Sequence, residues 1–552
     1  MRYPEVGVIA SASNEKALTQ DVSSAPPAMD GDRRGGMGTC VNVQWPLTFR
    51  GPNSSKPSPS VTFSLKCYIM YITFEAITIV GETRNMRQEK DLIGIHEVPD
   101  DVYYGIQTLR ATENFPITGY QPHRELIRAI GMVKGAAAEA NMHIGALNPK
   151  IGKAIVEASK ELIEGKFHDQ FVVDVIQGGA GTSMNMNANE VLANRAIEIL
   201  GGKKGEYFKV HPNTHVNMAQ STNDVFPTAI RIACLNVAQD LLKVLDSLRQ
   251  SFEDKAQEFD GVIKMGRTHL QDAVPIRLGQ EFAAYAHMLG RDIKRITEAI
   301  RSLEVINMGA TAVGTGLNAD PGYIEKVTEL MCEWTGLPVR LAEDLVDATQ
   351  NTDAFMEVSG SLRTLAVNLS KIANDLRLMA SGPRTGLNEL NLPPMQPGSS
   401  IMPGKVNPVI AEVVNQVAFQ VQGNDFTIGL ACGAGQLELN VMEPVVVFNL
   451  LQSLDILRNV TRVFRDRCVI GITANVERCR VMVENSVGLV TAINPHVGYE
   501  VASTIAKEAI LYGRPVSEIV LEKGVLTKEE LDLILNPYEM TRPGIAGVEL
   551  LK

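Results

Sequence analysis

Between residues 225 and 480, apolar side chains recur at alternating spacings of three and four, the period of a helix that turns one stripe toward its neighbours. The clearest run is Val358, Leu362, Leu365, Leu369, Ile372, Leu376, Met379. Two others are Ile230, Cys234, Val237, Leu241, Leu245, Leu248, Phe252 and Phe282, Tyr285, Leu289, Ile293, Ile296, Ile300, Leu303. Further runs at about 409–423 and 445–466 bring the long helices to five. Helices of this length with seams near heptad spacing pack most simply as an elongated bundle, so the chain is expected to be mainly α. Val445, Val446, Val447, Phe448, Leu450 and Leu451 place apolar groups on more than one face, so part of this surface is expected to meet another subunit.

Composition narrows the class. With 552 residues, 45% of them hydrophobic, the chain can bury a large core divided among several domains. Its net charge of -11 disfavours nucleic acid as a partner. The seven cysteines (Cys40, Cys67, Cys234, Cys332, Cys432, Cys468, Cys479) form an odd set with no C-x-x-C pair. That argues against a disulfide framework or zinc site and fits a reducing cytoplasm. Segment 22–60 is rich in Ser, Pro and Gly and reads as disordered. Phe63 to Val80 is apolar, but Lys66 and Glu75 interrupt it, so no membrane span is expected. Met86 reads as a more natural start, leaving 1–85 as an extension, disordered or not native. The expected division is 86–223, an N-terminal helical domain; 224–477, the helix bundle; and 478–552, a small C-terminal helical domain.

Four polar segments interrupt the apolar period: Gly178–Ser183, Gln220–Asp224, Gly266–Asp272 and Gly398–Asn407. Each is expected to lead into a helix, with Pro227 in a first turn and Pro408 at a helix start. Helix N-termini expose unpaired N–H groups and a positive dipole end, so each segment is a candidate anion site. Taken alone, Ser221–Asp224 reads as ordinary N-capping. Together the segments hold a large stock of hydroxyl and amide donors with Lys405 and His269. That suits a small dicarboxylate better than a phosphate ester, whose Gly-x-x-x-x-Gly-Lys-Ser/Thr run is absent. Segment 397–408 reads as a lid: glycines at 398 and 404, prolines at 397 and 403, and paired serines near a lysine and an asparagine.

Gly398-Ser399-Ser400-Ile401-Met402-Pro403-Gly404-Lys405-Val406-Asn407 resembles the signature of the fumarase/aspartase superfamily. The resemblance spans roughly 86–552 and includes Tyr103–Ala111, Gly178–Glu190, Ser221–Asp224, Gly266–Asp272 and Gly309–Gly316. It is nearer the aspartase branch than the fumarase branch, because Val409-Ile410 stands where fumarases typically carry Thr-Gln; Ile306–Ala310 and Asn536–Gly544 point the same way. The resemblance implies a three-domain helical subunit whose five-helix bundle forms a twenty-helix core in a homotetramer, with each active site built from three chains.

It further implies reversible elimination of ammonia from L-aspartate to give fumarate, through an enediolate, with Ser399 as the base. Thr182, Ser221, Thr222 and Ser400 would hold the side-chain carboxylate. Lys405, Asn407 and Thr268 would hold the α-carboxylate, and Asn223, Thr268 and His269 would surround the amino group. No cofactor is implied as required. Some aspartases are stimulated by a divalent cation such as Mg, although no metal-ligand cluster stands out here. The alternatives are a fumarate hydratase, a lyase for an N-substituted aspartate, or a non-catalytic helical tetramer; the last would be marked by a damaged lid.

Overall fold

A computed structural model describes residues 85–551. The expectations of disorder at 22–60, of no span at 63–80 and of an extension before Met86 fall outside the described residues, apart from Asn85. Helices dominate. After a small hairpin of β1 (Met86–Lys90) and β2 (Ile95–Pro99) come α1 (Ile106–Asn114), α2 (Arg124–His143), α3 (Pro149–Ile163) and α4 (Thr182–Ile199). The five expected long helices follow: α5 (Thr222–Glu258), α6 (Leu278–Ala299), then, after α7 (Pro321–Thr335) and α8 (Leu345–Gln350), α9 (Asp353–Met379), α10 (Val409–Cys432) and α11 (Glu443–Arg467). Helix α10 runs nine residues past the expected end at 423, because its apolar faces continue through Ile428 and Ala431.

Direction alternates along the bundle. Tyr285 of α6 donates to Asp375 near the end of α9, and Arg377 reaches Asn415 in the second turn of α10. At the opposite end Asn440, just before α11, donates to Thr352 at the start of α9. Every stripe residue of the α9 run is buried, as are Leu241, Leu245, Leu248 and Phe252 of α5. One hydrophobic cluster extends from Ala111 to Cys479, taking in the N-terminal helices and the bundle together. A second cluster gathers Val483, Leu489, Ile493, Ile505, Ile519 and Ile534 from the C-terminal helices, joined by Met265.

Among the described residues, α5 is the one helix long and apolar enough to cross a membrane by length and composition; 78% of its apolar window is buried inside the molecule. That burial marks it as the bundle's central helix.

Two local expectations are corrected. Gly266–Asp272 does not lead into a helix: it is the tip of a hairpin between β3 (Ile263–Thr268) and β4 (Gln271–Arg277). Pro227 is the sixth residue of α5 rather than part of its first turn. Proline there cannot donate to the carbonyl of Asn223, four residues back. That carbonyl instead accepts from Asn307 Nδ2 at 3.0 Å, so the missing helical bond ties α5 to the 307–316 loop.

Candidate active site

The sequence-predicted residues gather at two opposite ends of the bundle. Ser221, Thr222 and Asn223 stand at the N-terminus of α5, with Thr182 at the start of α4 beside it; Thr268, His269 and the lid stand at the other end. The 37 residues of α5, at about 1.5 Å each, separate the two groups by roughly 55 Å. One chain therefore brings together the first group, while the hairpin tip and the lid only share the other end of the bundle, and it does not bring the two ends together.

At the first end, Ser221 is the N-cap of α5: its Oγ accepts from Asn223 N at 3.2 Å, and Asp224 accepts from Ser221 N at 2.9 Å in a capping box. The second oxygen of Asp224 accepts from Gly309 N at 3.0 Å and Thr311 N at 3.3 Å. Burial holds the Asp224 carboxyl up at about 6 despite these donors. Asn223 Nδ2 donates to Ala312 O at 2.7 Å. Thr182 opens α4 and is exposed, its hydroxyl turned back onto Gly179 O at 2.6 Å.

Behind this group lies a buried polar network that the sequence reading did not single out. Asn217 Oδ1 accepts from Lys134 Nζ at 2.9 Å, Asn189 Nδ2 at 3.1 Å and Asn185 Nδ2 at 3.2 Å. Asn185 also donates to Thr222 Oγ1 at 3.1 Å, and Lys134 to Gln220 at 2.9 Å. Burial pulls the Lys134 ammonium down to about 7, opposed by the nearby Asp224. The network sets the position of 217–223 before any ligand arrives. Its sequence signals were a lone lysine in the run Gly131–Ala138 and the asparagines at 185 and 189, one helical turn apart on α4.

At the second end, Thr268 and His269 are exposed at the hairpin tip. His269 and Leu270 have φ of 56° and 61°, the two positive values that a type I′ turn needs. The lid is closed on itself: Gly398 N donates to Lys405 O at 2.7 Å and Asn407 Nδ2 to Gly398 O at 2.8 Å. A Cβ at Gly398 would stand 2.7 Å from Lys405 O, so the neck of the lid admits only glycine. Half-buried Ser399 accepts two backbone N–H groups at Oγ, from Met402 at 3.0 Å and Ile401 at 3.2 Å. Ser400 and Lys405 are exposed, and Ile401, Met402 and Val406 present apolar side chains to solvent beside them. Among the described residues no group of three or more His, Cys, Asp or Glu side chains is placed to hold a metal ion.

Ser399, under two N–H donors on a glycine-necked loop, thus stands at one end of a five-helix bundle, and the hydroxyl and amide groups of Thr182, Ser221, Thr222 and Asn223 stand at the other. The family model described as Lyase matches residues 94–423, and that described as Fumarase C C-terminus matches 489–542. The chain belongs to the fumarase/aspartase superfamily of lyases. It is similar to the aspartate ammonia-lyase of Bacillus subtilis (strain 168), with 64% identity over 469 residues, 85% of this chain and 99% of the relative. The aspartate ammonia-lyase of Helicobacter pylori (strain ATCC 700392 / 26695) is 53% identical, over 83% of this chain and 98% of the relative. Among solved structures, a fumarate lyase:delta crystallin from Brucella melitensis bound to cobalt has a TM-score of 0.81 and 50% identity, over 83% of this chain and all of that one. A class II fumarase from Schistosoma mansoni has a TM-score of 0.79 and 36% identity, over 83% of this chain and all of that one.

Proposed function

We infer that the chain is an aspartate ammonia-lyase, a carbon–nitrogen lyase that converts L-aspartate reversibly to fumarate and ammonia. The observation that carries this is the 64% identity across 99% of an aspartate ammonia-lyase, together with an undamaged lid in which Ser399, Ser400, Lys405 and Asn407 all stand. The undamaged lid also weighs against a non-catalytic helical tetramer.

The proton to be lost sits on the carbon beside the side-chain carboxylate, where it is barely acidic. Its removal requires that carboxylate to take up charge as an enediolate, which preorganised donors stabilise. Thr182, Ser221, Thr222 and Ser400 are the donors in this reading. Ser399 takes the proton on an alkoxide Oγ held by the N–H groups of Ile401 and Met402, which already aim at it. Collapse of the enediolate breaks the carbon–nitrogen bond and releases ammonia. Lys405, Asn407 and Thr268 hold the α-carboxylate, and Asn223, Thr268 and His269 hold the amino group. None of these steps draws on an organic cofactor; stimulation by a divalent cation such as Mg is a separate expectation.

The site so described needs more than one chain, because its two halves lie roughly 55 Å apart in a single one. A homotetramer with a twenty-helix core and each site shared by three subunits supplies the missing contacts. The exposed stripe Phe419, Phe426 and Leu430 on α10 supports this, since a large apolar face left in water marks an interface. A cytoplasmic location and the three-domain division at 223/224 and 477/478 belong to the same reading.

Incubation of the purified chain with L-aspartate is expected to raise the ultraviolet absorbance of fumarate, and incubation with L-malate is not. Turnover of malate without turnover of aspartate would assign the scaffold to fumarate hydration instead.

A further inference from the structure

The hairpin and the lid stem meet at one buried group. Glu389 is fully buried ten residues before Ser399, and its Oε1 accepts from Arg267 Nη1 at 2.7 Å. Its Oε2 lies 3.3 Å from Lys264 Nζ, which also donates to Glu281 at 2.9 Å. Two cations from β3 thus converge on one carboxylate of the lid stem.

Their convergence is built into the strand. Residues three apart point to opposite faces of a regular strand, so Lys264 and Arg267 should not reach the same partner. The register of β3 against β4 shifts between Met265 and Arg267, and this bulge brings both cations to one side. At its centre a Cβ on Gly266 would stand 2.7 Å from Val274 O, so the bulge is held by glycine. Thr268, the next residue, is left on the exposed side with His269.

The stem is equally fixed. Glu389 N donates to Met379 O at 2.8 Å at the end of α9, and its carbonyl accepts from Asn475 N at 2.9 Å. Leu390 and Asn391 pair with Ala474 and Thr473. Pro393, Pro394 and Pro397 then stiffen the arm that leads to Ser399, and Pro393 packs against Gly471 so closely that a Cβ there would lie 2.6 Å from its ring.

We propose that Glu389 is a positioning residue for the reaction: its ion pairs with Arg267 and Lys264 lock the hairpin that carries Thr268 and His269 to the stem that carries the Ser399 lid. This rests on the roles assigned above to those two segments, although the tether itself can be read without substrate.

The test uses Glu389→Gln, Arg267→Lys and the double variant in the full chain, with Glu389→Asp as a charge-keeping control. Three readouts are taken: kcat and KM for L-aspartate, tryptic cleavage at the exposed Lys405, and Tm with assembled mass. Glu389→Gln is expected to lower kcat/KM at least about tenfold, by a fall in kcat and a rise in KM together, since lid and hairpin both lose register. Arg267→Lys, which keeps a cation beside Glu389, is expected to raise KM with little change in kcat. The double variant should be no worse than Glu389→Gln, because both changes cut one tether. Cleavage at Lys405 should quicken several-fold in Glu389→Gln and stay near the parent rate in Glu389→Asp.

Additive losses in the double variant, or kcat/KM of Glu389→Gln within twofold of the parent, would overturn the proposal. If Glu389→Gln fails to assemble, Arg267→Lys decides: a raised KM at the parent Tm supports the tether, and parental kinetics overturn it. A parent chain that leaves L-aspartate untouched sinks the proposed function, and the Lys405 cleavage rates then judge the tether alone.

Discussion

Replacing Ser399 by alanine is expected to lower kcat for L-aspartate by about 10³-fold or more, within the range for loss of a positioned proton acceptor combined with loss of its activated form. The hydroxyl is the one lid group that accepts two N–H donors, from Ile401 and Met402, so it is the lid position at which an alkoxide would be stabilised. The bonds that close the neck of the lid, Gly398 N to Lys405 O and Asn407 Nδ2 to Gly398 O, do not involve Ser399 and persist in the variant, which loses only the two N–H bonds to Oγ. KM is therefore expected to change little, because Lys405, Asn407 and Ser400 keep their places. Steady-state kinetics check the split, and a variant with kcat within tenfold of the parent would remove Ser399 from the base role.

Charging the exposed stripe of α10 is expected to abolish activity without touching the lid. Phe419, Phe426 and Leu430 are 63%, 69% and 62% exposed and fall on one helical face. Each such side chain contributes on the order of 1.5–3 kcal/mol when buried against a partner. A Phe426→Asp, Leu430→Glu double variant would instead bury carboxylates without partners, at several kcal/mol in each copy of the contact. Dissociation should follow, and with the two halves of the site roughly 55 Å apart in one chain, kcat/KM should fall more than about 100-fold even though Ser399 is intact. Light scattering with parallel kinetics checks this. A monomer that keeps parental activity would show that one chain completes the site.

The apolar stripes made the five long helices legible, since burial of one face is what gives a helix its period. The hairpin was not legible for a physical reason. Its tip, His269-Leu270, takes two positive φ values without the Asn-Gly or Gly-Gly that usually announces such a turn, and its donors look the same as helix caps. Pro227 misled because the loss of its N–H is made good from a distance, by Asn307 on Asn223 O. Ser221 and Asp224 behaved as the capping pair their types suggest, yet the network that fixes them runs through Lys134 and Asn217, 87 and 4 residues away from Ser221. Contacts of that kind depend on the packing of α2 against α5 and leave no periodic trace. The lid motif was read at once, whereas the anchoring of its stem by Glu389 needed the bulge in β3 to become visible.

In the proposed assembly, each site joins the Ser221 end of one chain to lids and hairpins of others. Mixing two inactive variants tests it most directly. Ser399→Ala keeps an intact Ser221 end, and Asn223→Ala keeps an intact lid, so reassociation after mild denaturation should create hybrid sites with both halves sound. For random assembly in equal amounts, half of the Ser221 ends and half of the lids are intact, so about one quarter of sites, and of parental activity, should return. Recovery near that level is the predicted result. Reassembled tetramers that stay as inactive as either variant alone would contradict a site shared between chains.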